Sequence, residues 1–395
     1  MRRHLLSLGL AALFFTSTIA QSVETRRGDV HETSHISAGR VTEPATLLTL
    51  KAALELALGA NPDLSAAGHE LEAVTATIIQ AQVRPNPEIS TLIEDTRRAT
   101  RETTLQFNQS IELGGKRAAR IDVAERRRDA AAAELDVKRA EIRAAVMVAF
   151  FNVLAAQERL QFAKASVDLA QRATTAASRR VMAGKVSPVE ETKARVAEAG
   201  VRVELALAGS ELATARKRLA GLWGNPRPRF ERAEGSLDIL PSLPALDDLN
   251  SRLATSPSLL RARIEVDHRL ALAEVERSQR IPNLTVSLGA KRSEELGRNQ
   301  AILGISIPLP ISNRNQGNLL EALRRTDKAR DELSTAEVRL FNELAQAHER
   351  LNTAHQEVAL LQRDILPGAQ SAFDAATRGF ELGKFSFLEV LDAQR

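Results

Sequence analysis

The sequence predicts a mainly α-helical chain with a small β part, laid out as two tandem units of helix, β-hairpin, very long helix, turn and helix. Three observations carry that expectation. Glycine and proline are absent from Lys116 to Ala183 and again from Asn318 to Leu366. Short stretches alternating between apolar and polar residues precede each of these runs. Four local sequence patterns recur in the same order, displaced by between 195 and 199 residues.

Composition fits long helices packed side by side. Aromatic residues make up 3% of the 395, with one tryptophan (Trp223) and no tyrosine. A globular core of this size ordinarily draws on more large rings, which carry much of the buried area. Alanine, leucine, arginine and glutamate dominate instead. With no cysteine, a disulfide framework and a thiolate metal site are excluded. The net charge is only +4 and both signs are interspersed, so the clustered basic face of a nucleic-acid-binding protein is missing.

The N-terminus has the form of a secretory signal over residues 1–20. Arg2 and Arg3 supply positive charge, Leu5 to Phe15 the apolar core, and Thr18-Ile19-Ala20 a small-residue cleavage site. A polar linker is expected over 21–47. Because no later stretch approaches 18 consecutive apolar residues, any membrane crossing by the exported chain must use strands.

The recurring patterns define the two units. Asn61-Pro62-Asp63-Leu64 returns as Ser256-Pro257-Ser258-Leu259, and Gln82-Val83-Arg84-Pro85-Asn86 as Gln279-Arg280-Ile281-Pro282-Asn283. Ser110-Ile111-Glu112-Leu113 returns as Ser306-Ile307-Pro308-Leu309, and Gly184-Lys185-Val186-Ser187 as Gly383-Lys384-Phe385-Ser386. The expected organisation is a first unit over 48–224, a linker over 225–245 and a second unit over 246–395. Each unit opens with a helix, one from about Leu50 to Gln82 and the other from about Leu246 to Gln279. Pro85 and Pro282 end them, because the residue before proline avoids helical angles.

Beyond those prolines the apolar period becomes two. Leu105, Phe107, Ile111 and Leu113 share a face opposite Thr104, Gln106, Asn108, Ser110 and Glu112, with Gln109 alone breaking the pattern. In the second unit Leu284, Val286, Leu288 and Ala290 alternate with Thr285, Ser287, Gly289 and Lys291. A further strand carries Ala301, Leu303, Ile305, Ile307 and Leu309. Pro87 to Asp95 supplies the remaining strand, and the connecting loops are Thr96–Arg101 and Arg292–Gln300. These lengths suit transmembrane strands of about 9–11 residues. Four strands cannot close a barrel, and open edges are not tolerated in lipid. The chain is therefore expected to share strands with other copies; a trimer would make a 12-stranded barrel with room for an aqueous lumen.

The glycine- and proline-free run from Lys116 would extend about 100 Å as one helix, and coiled-coil packing is its natural use. The second run is punctuated by Pro367-Gly368. At the far ends the chain reverses tightly. Gly184 and Gly383 suit left-handed helix caps. Ser187-Pro188 with Glu190, and Ser386 with Glu389, read as capping boxes.

These carriers together resemble the TolC family of outer-membrane factors, from about Leu48 to Arg395. They are the two helix–hairpin–helix units, the Pro-Asn junctions at the strands and the paired Gly-Lys-x-Ser tips. Ser110-Ile111-Glu112-Leu113-Gly114-Gly115-Lys116-Arg117 resembles the cobalt–zinc–cadmium, heavy-metal branch. The resemblance implies a homotrimeric export conduit with its barrel in outer-membrane lipid and its helical tube in the periplasm. It also implies a periplasmic adaptor and an inner-membrane proton-driven RND pump as partners. The tips at Gly184, Lys185, Ser187, Gly383, Lys384 and Ser386 would meet the adaptor. Three departures stand out: no cysteine for the lipid anchor many relatives carry, almost no aromatic girdle, and a last helix that stops soon after Ala393 where its counterpart continues from Ala194 to Gly224.

No motif for catalysis is found in the two repeated units. The phosphate loop G-x-x-x-x-G-K-[ST] is absent, and the H-E-x-x-H spacing occurs at His31-Glu32-Thr33-Ser34-His35, in a polar segment read as a tail rather than a metal site. His31 and His35 lie in the polar linker, and His348 and His355 are read as solvated or packed helix residues. No cofactor, resident metal or nucleic-acid partner is expected. The alternative reading is a periplasmic adaptor, which would carry a single helical hairpin and no duplicated strand pairs.

Overall fold

The computed structural model describes residues 42–237 and 241–394. The expected signal segment, residues 21–41 of the linker, and His31 and His35 lie outside them. All that follows concerns the unit that begins at Glu43.

The elements run β1 (Leu47–Thr49), α1 (Leu50–Ala60), α2 (Pro62–Gln82), β2 (Glu88–Glu94), β3 (Glu102–Ile111), α3 (Lys116–Met182) and α4 (Pro188–Gly221). They continue with β4 (Arg232–Glu234), α5 (Leu246–Leu253), α6 (Pro257–Ser278), β5 (Leu284–Ser293), β6 (Arg298–Ser306) and α7 (Gln316–Leu360). A π-helical turn (Leu361–Ile365), α8 (Leu366–Glu381) and α9 (Phe387–Gln394) complete the order.

The two opening helices differ from expectation in the same way. Each is broken where a capping residue precedes a proline. Asn61 accepts from the Leu64 amide and Pro62 starts α2, while Ser256 accepts from the Leu259 amide and Pro257 starts α6. Proline at the first helical position has no amide to satisfy, so a new helix begins there at little cost.

Pro367-Gly368 punctuates the second long run by a shift of helical register. The helix is not ended but passes through the π turn and continues as α8. Proline removes one helical hydrogen bond and crowds the carbonyl one turn back; a π turn absorbs both.

The long α3 is unbroken over 67 residues. It is the one described helix long and apolar enough to cross a bilayer. Its middle instead forms a protein core: Val146, Phe150, Val153 and Leu154 are buried with Leu48, Ala53, Leu56, Leu219, Trp223 and Phe230. β1 and β4 lie in parallel beside this core. β4 falls in the segment expected to be a linker. Three-residue strands have no period to read. The buried Gln157 of α3 holds β4 in place, its amide accepting from the Ala233 N–H (2.7 Å) and donating to the Ala233 carbonyl (3.1 Å). Glu43, also assigned to a linker, accepts from Trp223 Nε1 (3.2 Å), Asn225 Nδ2 (2.5 Å) and the amides of Arg229 (2.6 Å) and Phe230 (3.3 Å).

The other four strands form one antiparallel sheet in the order β2-β3-β5-β6. β5 extends to Ser293 and β6 begins at Arg298, so the loop between them is shorter than expected. β6 ends at Ser306 rather than Leu309, because Pro308 and Pro310 have no amide for the ladder.

Candidate functional site

Three places in the fold bear on function: the faces of the sheet, the junction between sheet and helices, and the two helical tips.

The pairing register aligns the apolar residues into rows. Ile89, Phe107, Leu288 and Leu303 are successive neighbours across the four strands, as are Thr91, Leu105, Ala290 and Ala301. Ile89, Ile93, Leu105, Phe107, Leu288, Leu303 and Ile305 are exposed. Gln109, the exception in the alternation, donates its amide to the carbonyls of Pro85 (3.1 Å) and Ser110 (2.9 Å) at the strand end. The opposite face is mostly polar, Leu92 and Ile302 apart, and internally bonded. Ser287 Oγ donates to Asn108 Oδ1 (2.7 Å), Asn108 Nδ2 donates to Ser90 Oγ (3.2 Å), and Lys291 pairs with Glu102 and Glu94. β2 and β6 are open edges. A sheet with one dry exposed face and one wet face is built as part of a wall between lipid and water.

At the junction, the segment that carries the heavy-metal-branch resemblance is fixed by charge. Glu112, just past β3, makes a bidentate pair with Arg120 one turn into α3. Arg120 also donates to the Val83 carbonyl (3.3 Å), and Arg117 to that of Gln82 (2.8 Å), so α3 satisfies the end of α2. The Arg120 hydrogen bond, with Arg120, Lys116 and Arg117 charges nearby, holds the Glu112 carboxyl below its ordinary range despite partial burial. Lys116 is buried and donates to Asn283 Oδ1, tying the start of α3 to the start of β5. Burial pushes its ammonium pKa down.

The structure places the six residues singled out in the sequence in two similar turns, three in each. Gly184 and Gly383 are left-handed, with φ of 67° and 73°. The amides of Lys185 and Lys384 donate back to the carbonyls of Arg180 (2.9 Å) and Gly379 (2.8 Å), closing equivalent helix ends. Both lysine side chains are exposed. Each expected capping box is half-made. Ser187 Oγ accepts from the Val189 amide (3.3 Å), while Glu190 turns to Lys193. At the second tip Glu389 accepts from the Ser386 amide (2.6 Å).

Sequence reasoning missed what joins the tips. Arg180, near the end of α3, donates to the carbonyls of Phe380 (2.6 Å) and Glu381 (3.2 Å), and its guanidinium stands 4.9 Å from the centre of the Phe380 ring. Beneath it a shared core packs Ala173, Ala177, Ala194, Val201, Ala376, Phe387 and Val390. Gln394 of α9 reaches Ser166 of α3 (3.0 Å). Contacts across 200 residues leave no local signal; the basic residue in the last turn of α3 was the only hint.

The profile of the family described as "Outer membrane efflux protein" matches residues 53–225 and 249–395. The chain belongs to this family. It is 51% identical over 397 residues to the cobalt-zinc-cadmium resistance protein CzcC of Cupriavidus metallidurans, covering 100% of this chain and 93% of that relative. The nickel-cobalt-cadmium resistance protein NccC of Alcaligenes xylosoxydans xylosoxydans is 28% identical over 289 residues, covering 71% of this chain and 65% of the relative. Among solved structures, CusC superposes with a TM-score of 0.70 at 20% identity, covering 88% of this chain and 85% of that one. VceC from Vibrio cholerae superposes at 0.71 and 19% identity, covering 87% and 89%. At these identities the likeness fixes the fold, which is TolC-like. The expectation of an outer-membrane factor therefore stands, and the adaptor alternative is set aside. As an outer membrane efflux protein, the chain has its sheet in the outer membrane and its helices in the periplasm.

Proposed function

We propose that the chain is the outer-membrane conduit of a tripartite RND-type efflux system that exports heavy-metal cations, and that it works as a homotrimer. The observation that carries the reading is the four-stranded sheet with an exposed apolar face and unpaired edges. A lone copy would leave the edge amides and carbonyls of β2 and β6 unsatisfied in lipid. Three copies pairing β6 to β2 close a 12-stranded barrel whose polar faces line an aqueous lumen. On this reading the two halves, 48–224 and 246–395, are copies of one unit, each giving one hairpin and one long helix.

The conduit is passive. It has no cofactor, and energy comes from an inner-membrane pump acting through a periplasmic adaptor. The adaptor meets the tips, where Gly184, Lys185, Ser187, Gly383, Lys384 and Ser386 present two similar turns held side by side by Arg180. The cargo is argued from the resistance relative at 51% identity and from the junction sequence 110–117.

Complementation tests the reading. A strain lacking its own outer-membrane factor, but expressing a heavy-metal RND pump and its periplasmic adaptor, should regain growth in cobalt, zinc or cadmium when the chain is supplied. Outer-membrane insertion without any gain in metal tolerance would contradict the cargo assignment. Recovery as a soluble periplasmic monomer would contradict the conduit.

A further inference from the structure

We propose that Arg84, Arg280 and Arg314 anchor the chain by binding the phosphates of phospholipids in the periplasmic leaflet, at the height where barrels ordinarily carry aromatic side chains. The proposal rests on the barrel reading above and adds the lipid chemistry that fixes the barrel's depth.

Transmembrane barrels are usually positioned by girdles of aromatic residues at both interfaces. Here tyrosine is absent, and the one tryptophan, Trp223, is buried beside β4. Phe107 is the sole aromatic residue in the four strands of the sheet. The apolar band nevertheless has a membrane's height. β3 spans 10 residues, about 34 Å along the strand and about 25 Å at the usual tilt. Some other chemistry must mark its limits.

At the helical end of the sheet that chemistry is arginine set beside exposed apolar residues. Val83 and Arg84 precede Pro85 at the first junction, and Arg280 and Ile281 precede Pro282 at the second; all four are exposed. Past β6, Ile307, Leu309 and Ile311 are exposed and continue the residue parity of the lipid-facing row, and exposed Arg314 follows. Asn315 bonds Glu276 of α6 (2.6 Å to the carboxylate), which brings Arg314 to the same end of α6 as Arg280.

None of the three guanidinium groups has a protein partner among the described residues. Neighbouring carboxylates are committed elsewhere: Glu112 to Arg120, Glu274 to Arg277, and Glu276 to Asn315. Glu88 shares the polar face of the sheet with Ser90. An exposed guanidinium with no protein partner, next in sequence to exposed apolar residues where the sheet ends, is free to take a phosphate, its aliphatic stem able to reach along the apolar band. Each arginine beside an anionic leaflet strengthens binding by about fivefold. The opposite rim carries Arg97, Arg98 and Arg298, also without side-chain partners among the described residues. They supply the comparison, facing the other leaflet.

The test is lipid binding by the full chain in detergent, read by native mass spectrometry against phosphatidylglycerol. The R84Q/R280Q/R314Q variant should bind at least tenfold more weakly than wild type, and R84K/R280K/R314K should stay within a few-fold of it. R97Q/R98Q/R298Q should keep phosphatidylglycerol binding and lose lipopolysaccharide binding instead. Wild-type phosphatidylglycerol affinity in the first variant, or equal loss in both glutamine variants, overturns the proposal. So does an intact conducting channel that retains no phospholipid, and that result leaves the conduit reading standing. A wild-type chain that fails to insert into vesicles overturns both.

Discussion

The guanidinium of Arg180 caps the end of α8 by donating to the Phe380 carbonyl at 2.6 Å, and it lies over the ring of the same residue. One side chain from the first tip thus closes the second. The last carbonyls of a helix have no partner within it and need one from outside. Truncating Arg180 to alanine should cost about 1–2 kcal/mol, the worth of a partly exposed charged hydrogen bond. Hydrogen exchange should speed up at the amides of 380–386 and stay unchanged around β4. An R180A protein with wild-type protection at the second tip would show that the clamp is incidental.

The tip glycines should differ in their reasons for being glycine. A Cβ on Gly184 would meet nothing within 4 Å, so G184V carries only the left-handed backbone strain, about 1–2 kcal/mol. Gly379 is not left-handed, but a Cβ there would come within 2.1 Å of Phe385 Cδ2. G379A should therefore be rescued by F385A, whereas G184V should not respond to any neighbouring truncation. Thermal unfolding of the four proteins in detergent measures this. Failure of F385A to restore any stability to G379A would refute the packing account.

The tips also show how far the sequence could be read. Gly184, Gly383 and their following serines were legible because turn chemistry is local: a left-handed cap selects glycine, and a helix start selects serine or proline. The strands were legible from period two, and their register followed the rows from Ile89 to Leu303. The breaks at Asn61-Pro62 and Ser256-Pro257 are written in the same local code, a capping residue followed by proline, yet each opening helix was expected as one piece, because an apolar helical pattern runs on through them. The π turn before Pro367 was not legible, because proline alone does not say whether a helix stops or shifts its register. Nor were β1, β4 and the Arg180 clamp, which depend on residues far apart in the chain meeting in space.

Glu43 gives a pH dependence. Burial alone would raise its pKa, but the Arg229 amide, Asn225, Trp223 and the Phe230 amide donate to the carboxylate and bring it below its ordinary value. A carboxyl depressed in the folded state stabilises the protein above its unfolded pKa, and that contribution is lost as pH falls through the folded one. E43Q should therefore melt below wild type at pH 7, and the gap should close at acid pH, below the ordinary carboxylate range. A gap of constant size across the whole pH range would mean that the carboxylate charge is not what holds the segment.

The central claim is that β2 and β6 are closed by other copies of the chain. With no native cysteine, introduced cysteines report on this directly. One is fixed at Thr91 on β2 while a second is stepped from Asn299 to Ile305 on β6. Neighbouring strands lie about 4.8 Å apart, within reach of a disulfide at the right register. In outer membranes oxidised before denaturation, one or two of these pairs should give a covalent trimer, while either single cysteine leaves monomers. A ladder that stays monomeric at every position, in protein shown to be inserted, would contradict the shared barrel.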